Sequence, residues 1–169
     1  MDRSQTLIAA RAKSTYTFEC RDAEGNLKWI EVVDNLVTTA GLNKLLDATF
    51  KTGLASPAWY VGLKGAGTIA AGDTMSSHAG WTESAAYSES VRQTLTLGTI
   101  ASGAVSNSAS KAVFTMNATA TIAGGFVTDS NTKSGTTGVL YGATDFASSR
   151  SVLSGDTLTV QVDLSVTAS

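Results

Sequence analysis

Cysteine, histidine and proline are nearly missing from this sequence. Among its 169 residues, only Cys20, His78 and Pro57 belong to these three types. A lone cysteine cannot form an internal disulfide, and one histidine with one cysteine does not supply the ligands of a structural zinc site. A single proline leaves no proline-rich linker that would divide the chain. The length then favours one domain, which is large enough to bury a core without a metal or a disulfide.

Charge is also scarce. Lys, Arg, Asp and Glu make up 15% of the residues, against roughly 25% in an average domain, and the net charge is −2. Because phosphate binding needs clustered Lys and Arg, which this sequence lacks, we expect no nucleic-acid partner. No window approaches the roughly 18 apolar residues of a membrane span, and we expect no membrane partner. The first residues lack a signal-peptide pattern, which predicts a protein made in the cytoplasm that leaves it only within an assembly.

Serine and threonine take the place of the missing charge. The sequence holds 20 Ser and 24 Thr, which is 44 of its 169 residues. Threonine favours strands, and a surface of hydroxyl groups is less typical of exposed helices, which usually carry Glu and Lys. More than half of the charged residues lie before Gly53. The composition therefore predicts a mainly β protein whose charge is concentrated in its first third.

Alternating apolar and polar residues predict strands along most of the chain. The runs "TYTFECRD" and "LKWIEVVDN" flank the turn "AEGN" and predict a β-hairpin. The run "GDTLTVQVDLSVTAS" alternates most strictly, with apolar residues at Leu158, Val160, Val162, Leu164 and Val166. Turn signals recur about every ten to fifteen residues, which is typical of antiparallel sandwiches and barrels. We expect a single antiparallel β-sandwich domain over residues 14–169.

One segment has helical periodicity instead. In "VTTAGLNKLLDATFKTG" the apolar residues fall on one helical face: Leu42, Leu45, Leu46 and Phe50. Thr38 or Thr39 is a suitable N-cap, and Gly53 is a suitable C-terminal cap. The segment predicts a short α-helix at about 39–51, packed over an open end or an edge of a sheet.

Residues 1–13 have mixed character and predict an N-terminal arm. Arg3, Arg11 and Lys13 surround the short apolar stretch "LIAA". Such a segment either frays, as chain termini often do, or orders against a partner.

The stretch "AGDTMSSHAGWTESAAY", residues 71–87, contains an acid, two hydroxyls and the lone imidazole within six residues. A Ser-His-Asp site needs the imidazole bonded to both the hydroxyl and the acid, and known triads assemble these groups from distant parts of the chain. The alternative is an ordered loop in which Asp73 and Ser76 bond nearby amides and Trp81 is buried at its exit. The second interpretation is favoured, and no catalytic residue, cofactor or metal site is predicted.

The sequence also contains candidate residues for a glycosidase carboxylate pair and for a sugar-binding platform. Glu83 and Glu89 form a carboxylate pair in sequence, but an exposed loop explains them better than glycoside chemistry does. Aromatic residues form a candidate sugar-binding platform or, more often in a small sandwich, part of the core: Trp59, Tyr60, Trp81 and Tyr87.

Five blocks of the sequence carry a resemblance to a known family. They are "NLVTTAGLNKLLDATF", "AWYVGLKGAG", "AAGDTMSSHAGWTE", "SNSASKAVFTMNATATIAGGFV" and "SGDTLTVQVDL". In this order they resemble a family of small structural proteins of tailed bacteriophages, from about Asn35 to the C-terminus. The resemblance implies jelly-roll-like β modules without an enzymatic site, located on the exterior of the virion capsid.

The resemblance implies a capsid decoration or cement protein that binds across the joints between capsid subunits. The expected partners are the major capsid protein and other copies of this chain, as a dimer or trimer. Arg3, Arg11 and Lys13 are the candidate capsid contacts, because charge is concentrated near the N-terminus. The alternative is a tail or fibre-associated module that recognises a host glycan or receptor.

Overall fold

Within residues 10–51 and 57–168, which are the residues that the computed structural model describes, eleven strands form two antiparallel sheets. The first sheet contains β1 (Ala10–Arg21), β2 (Leu27–Asp34), β7 (Ala104–Ser106), β8 (Ala112–Thr115) and β11 (Thr157–Ala168). The second contains β3 (Leu36–Val37), β4 (Tyr60–Gly67), β5 (Trp81–Ser84), β6 (Gln93–Thr94), β9 (Ala120–Thr128) and β10 (Leu140–Val152). The predicted antiparallel β-sandwich is confirmed.

The order of the strands shows how the chain runs through the two sheets. The first sheet is ordered β2-β1-β11-β7, with β8 also paired to β11, and the second is ordered β3-β10-β9-β4-β5, with β6 paired to β4. Consecutive strands are neighbours in β1–β2, β4–β5 and β9–β10. Hairpins therefore supply three of the strand pairs.

The predicted hairpin of β1 and β2 is confirmed. Tyr16, Phe18 and Cys20 point into the core and are fully buried, as their alternation indicates. On its other side β1 pairs with β11 along its whole length, from Ala10 opposite Ala168 to Arg21 opposite Thr157. This ladder lies at the centre of the first sheet.

The ladder includes the last residues of the predicted N-terminal arm. Because β1 begins at Ala10, Arg11 and Lys13 lie in the sheet, and the predicted boundary at residue 13 is wrong. At this end of β1, Ala10 is exposed and Ala12 is only half-buried, and both are too small to mark a buried face, so the side-chain pattern did not reveal the strand. Residues 1–9, including Arg3, lie outside the described residues.

The core lies between the sheets and is contributed by both of them. Its buried residues come from the first sheet, among them Phe18, Phe114 and Val160, and from the second, among them Leu63 and Ile122. In β11 the predicted inward residues Leu158, Val160 and Val162 are fully buried, whereas Val166 is 53% exposed. The strand therefore runs past the end of the core.

The predicted helix is confirmed as α1 (Thr39–Phe50). Thr38 is its N-cap, and the Thr38 hydroxyl accepts a hydrogen bond of 3.1 Å from the Gly41 amide. The same hydroxyl donates to the Leu140 carbonyl of β10, which joins the start of the helix to the second sheet. The predicted cap Gly53 lies outside the described residues.

The apolar face of α1 is packed only in part, because Leu45 contacts the core while the other three residues of the face are exposed. Leu42, Leu46 and Phe50 are 44%, 57% and 79% exposed, while Gly41 is buried. The physical reason is the close approach of the helix backbone to β10: a Cβ on Gly41 would lie 2.1 Å from the carbonyl oxygen of Tyr141. The glycine side of α1 faces the sheet, and the opposite side, with its apolar stripe, faces outward.

This contact predicts that replacing Gly41 with alanine destabilises the protein, which is the opposite of the usual effect in a helix. In an exposed helix interior, Gly→Ala stabilises by about 1 kcal/mol. Gly41→Ala should instead lower the free energy of unfolding by about 3 kcal/mol, because the new Cβ meets backbone that cannot move aside. Urea denaturation followed by circular dichroism measures the change.

Gly72→Ala is the matched control, because a Cβ at Gly72 meets nothing within 4 Å. Its free energy of unfolding should stay within about 0.5 kcal/mol of the wild-type value. An unchanged or raised stability in Gly41→Ala would contradict the contact.

Candidate functional site

The stretch 71–87 forms a loop and strand built around Trp81. The Trp81 ring is 3% exposed, lies 5.2 Å from the Phe126 ring between centroids, and stacks on the His78 ring at 4.1 Å. Its indole nitrogen donates a hydrogen bond of 2.9 Å to Asp73, whose carboxylate also accepts from the Ala70 amide. Trp81 is therefore buried at the exit of this loop, as the sequence favoured.

The groups of the triad hypothesis are bonded to other partners. The Asp73 carboxylate holds the indole of Trp81, and the His78 Nδ1 lies 3.1 Å from the Trp81 carbonyl oxygen. The Ser76 hydroxyl lies 3.2 Å from the Thr74 hydroxyl. In this geometry the acid orients the tryptophan ring rather than the imidazole.

A buried ion pair lies next to this loop and was not identified from the sequence. Arg92 is fully buried, and its guanidinium donates two hydrogen bonds to the Glu83 carboxylate, at 3.0 and 2.7 Å. The guanidinium also donates to the carbonyls of Ser130 and Gly135, and lies 5.1 Å from the centre of the Phe126 ring. The pair therefore fixes the 130–135 loop against β5.

Two further lysines hold the backbone in the same way. The fully buried Lys64 ammonium lies 2.6 Å from the Asp145 carboxylate and donates to the Gly67 carbonyl. The Lys133 ammonium donates to the carbonyls of Tyr87 and Glu89, and lies 4.0 Å from the centre of the Tyr87 ring. These cations, like Arg92, are occupied within the fold.

Asp156, at the turn before β11, joins the hairpin to the rest of the first sheet. Its carboxylate lies 2.5 Å from the Lys28 ammonium and accepts a hydrogen bond of 2.8 Å from the Leu153 amide. The Cys20 thiol donates to it at 3.8 Å. Burial, and then the negative charge of Asp156, raise the pKa of the Cys20 thiol to about 11.

The aromatic rings considered for sugar binding are mostly packed inside the fold. Trp81 and Tyr87 are buried, and Tyr87 makes an edge-on contact with Phe114 at 4.9 Å. Trp59 is partly buried and makes an edge-on contact with Tyr141 at 5.7 Å. Trp59, Trp81 and Tyr87 therefore pack against other rings of the fold instead of forming an exposed platform.

The predicted contact residues lie on the outer side of β1 where they are described. Arg11 is exposed, and the Lys13 ammonium lies 3.1 Å from the Asp34 carboxylate in an exposed ion pair. Arg3 lies outside the described residues. Arg11 and Lys13 are accessible to a partner, and they stand on a strand rather than on an arm.

A second exposed surface lies at one end of the sandwich, which we call the helical end. It consists of the stripe Leu42, Leu46 and Phe50 on α1, with Val166 of β11 as a further exposed residue. Leu45 of α1 and Leu164 of β11 line one cavity of about 190 Å³, which places the helix and this part of β11 at the same end. The helical periodicity of the sequence marks this stripe but does not show whether it is buried.

No metal-binding group of three or more His, Cys, Asp or Glu side chains occurs within residues 10–51 and 57–168. In the same part of the chain, no helix has the length and apolarity that a membrane span requires.

The ion pair of Glu83 and Arg92 predicts a large effect of removing one partner. Glu83→Gln should lower the free energy of unfolding by about 3–5 kcal/mol, because it leaves a buried guanidinium without a counter-charge. The control, Lys13→Gln, breaks an exposed pair and should cost at most about 1 kcal/mol. If urea denaturation gave equally small losses of stability for the two variants, the Glu83–Arg92 pair would not be desolvated.

The Cys20 thiol predicts a pH dependence. Its pKa is about 11 in the folded chain, against about 9 for an ordinary thiol, so the unfolded chain loses this proton first as the pH rises. The contribution of Cys20 to stability should therefore be complete below about pH 9 and be lost between about pH 9 and 11.

Alkaline denaturation of the wild type and of Cys20→Ala isolates this contribution from that of the tyrosines. The stability difference between the two proteins should shrink as the pH rises through this range. A difference that stays constant to about pH 11 would contradict the raised pKa.

Comparison with known proteins adds no family. No protein-family model matches the chain, and no curated protein sequence matches it.

Proposed function

We propose that the chain is a non-enzymatic structural protein of a tailed-bacteriophage particle, most specifically a decoration or cement protein. In this role it binds the exterior of the capsid across joints between subunits of the major capsid protein. The resemblance of the five sequence blocks supports the class of protein. The exposed surface of the sandwich supports a role in attachment.

The observation that carries the proposal is the helical end. Its four large apolar side chains are between 44% and 79% exposed: Leu42, Leu46, Phe50 and Val166. Large apolar side chains exposed together on one face of a helix commonly mark a contact with another macromolecule. Arg11 and Lys13 on the outer side of β1 supply a second, polar contact area for the same attachment.

A cement function needs binding rather than chemistry. A protein that binds the assembled shell and not its separated subunits stabilises the shell by mass action. On a symmetric shell the same joint is repeated many times, and a contact that spans two subunits gains affinity from both. A rigid domain suits this role because little conformational entropy is lost when it binds.

The alternative function is a tail or fibre-associated module that binds a host glycan or receptor. Stacking on sugars requires exposed aromatic faces, whereas Trp81 and Tyr87 are buried and Trp59 packs on Tyr141. The geometry therefore favours the cement function over the glycan-binding function.

Copy number in purified particles tests the proposal. A decoration protein should be present in numbers comparable to the capsid subunits, on the order of hundreds per particle, because it follows the shell symmetry. Quantitative mass spectrometry against the major capsid protein gives the ratio. A few copies or a few dozen would place the chain in a tail or fibre, and its absence from particles would refute a virion role.

Loss of the protein supplies a second readout. Particles assembled without the chain should rupture at a lower temperature than complete particles, and adding the purified chain back should restore the difference. Equal rupture temperatures would contradict the cement function even at high copy number.

A further inference from the structure

The apolar stripe of α1 is held outward by the contacts of the helix with the second sheet. The Thr38 hydroxyl donates to the Leu140 carbonyl, the Thr39 amide donates to the Ala71 carbonyl at 3.0 Å, and Gly41 lies against Tyr141. Turning the helix to bury the stripe would break these contacts and bring side chains against the β10 backbone. The stripe is therefore a fixed feature of the surface, which lowers the entropic cost of binding.

A cleft of about 710 Å³ runs beside the stripe. Its lining combines the apolar side chains of Leu46, Phe50 and Val139 with charged groups of the helix. The charged groups are Lys44, Asp47 and Lys51. A partner that fills the cleft must therefore present both apolar and charged atoms.

The charge of the cleft indicates which charge a partner should carry at this contact. The Lys51 ammonium lies 3.2 Å from the Asp47 carboxylate, so these two charges compensate each other. Lys44 has no carboxylate within 4.0 Å among the residues that the structure describes. The cleft carries one excess positive charge, which favours a carboxylate on the partner.

The size of the stripe argues against a second copy of this chain as its occupant. The twelve residues of α1 span about 18 Å, and a helix face about 10 Å wide offers a footprint near 200 Å². A stable pairwise interface buries roughly 800 Å² on each partner. The stripe therefore fits a small contact that is repeated on a larger lattice.

We propose that this cleft receives an acidic, apolar segment of the shell subunit. An apolar side chain of that segment packs between Leu46 and Phe50, and a carboxylate pairs with Lys44. This inference rests on the proposed function and specifies the partner chemistry at the helical end. Association should weaken with rising salt, because part of it depends on an exposed charge pair.

Particles assembled without this chain, titrated with purified full-length protein, test the inference. The double variant Leu46→Ser/Phe50→Ser should bind at least about ten-fold more weakly than the wild type. Lys44→Glu should also bind more weakly, and since its contact with the carboxylate is repulsive, rising salt should relieve this loss. Lys44→Gln should fall between Lys44→Glu and the wild type.

Leu153→Ser is the matched control, because Leu153 is 52% exposed and lies at the turn between β10 and β11. That turn is at the Arg21–Thr157 end of the ladder, away from α1. The control should bind like the wild type. Circular dichroism and urea denaturation of each variant show that a binding loss does not come from unfolding.

The outcomes separate this inference from the proposed function. If the wild type does not bind the particles, the proposed function fails and this inference fails with it. If the wild type binds and the α1 variants bind equally well, only this inference is wrong. A stable wild-type dimer that Leu46→Ser/Phe50→Ser dissociates would identify a second copy as the occupant and would also overturn it.

Discussion

The ladder between β1 and β11 is the contact on which the first sheet depends. It runs without interruption from Ala10 opposite Ala168 to Arg21 opposite Thr157. β2 is attached through β1, while β7 and β8 are attached through β11. The residues that β1 and β11 direct inward, such as Phe18 and Val160, form much of the core. The register of this one pair therefore decides which side chains of the first sheet are buried and which face a partner.

Scarce charge makes the buried ion pairs more important for the second sheet. Lys64 with Asp145 joins β4 to β10. Glu83 with Arg92 joins β5 to the residue before β6, and Arg92 also donates to carbonyls of the loop after β9. Each pair is surrounded by further hydrogen bonds to backbone carbonyls, which a buried charge needs in order to be tolerated. Groups that would suit catalysis in isolation are thus occupied in holding loops. Trp81 and Asp73 do the same for the stretch 71–87.

Structural features that depend on the local residue pattern could be predicted from the sequence. Features that depend on contacts between distant residues could not. Alternation around Phe18 and Val160 predicted buried strand faces, and the 3.6-residue period predicted α1 almost to the residue. The pairing of Lys64 with Asp145 joins residues 81 positions apart, and no local signal marks it. The start of β1 was missed because small inward residues such as Ala12 carry little hydrophobic signal. The candidate surface was missed for a related reason.

A helical apolar stripe indicates that some surface covers it, but not that the surface belongs to the same chain. In α1 the decisive residue is Gly41, which lets the backbone approach Tyr141 so closely that the glycine side must face the sheet. Leu46 and Phe50 are then exposed by the same contact that holds the helix in place. Exposed apolar side chains on a fixed helix favour aggregation unless something covers them. The packing that stabilises the fold therefore also creates the surface most suited to a partner.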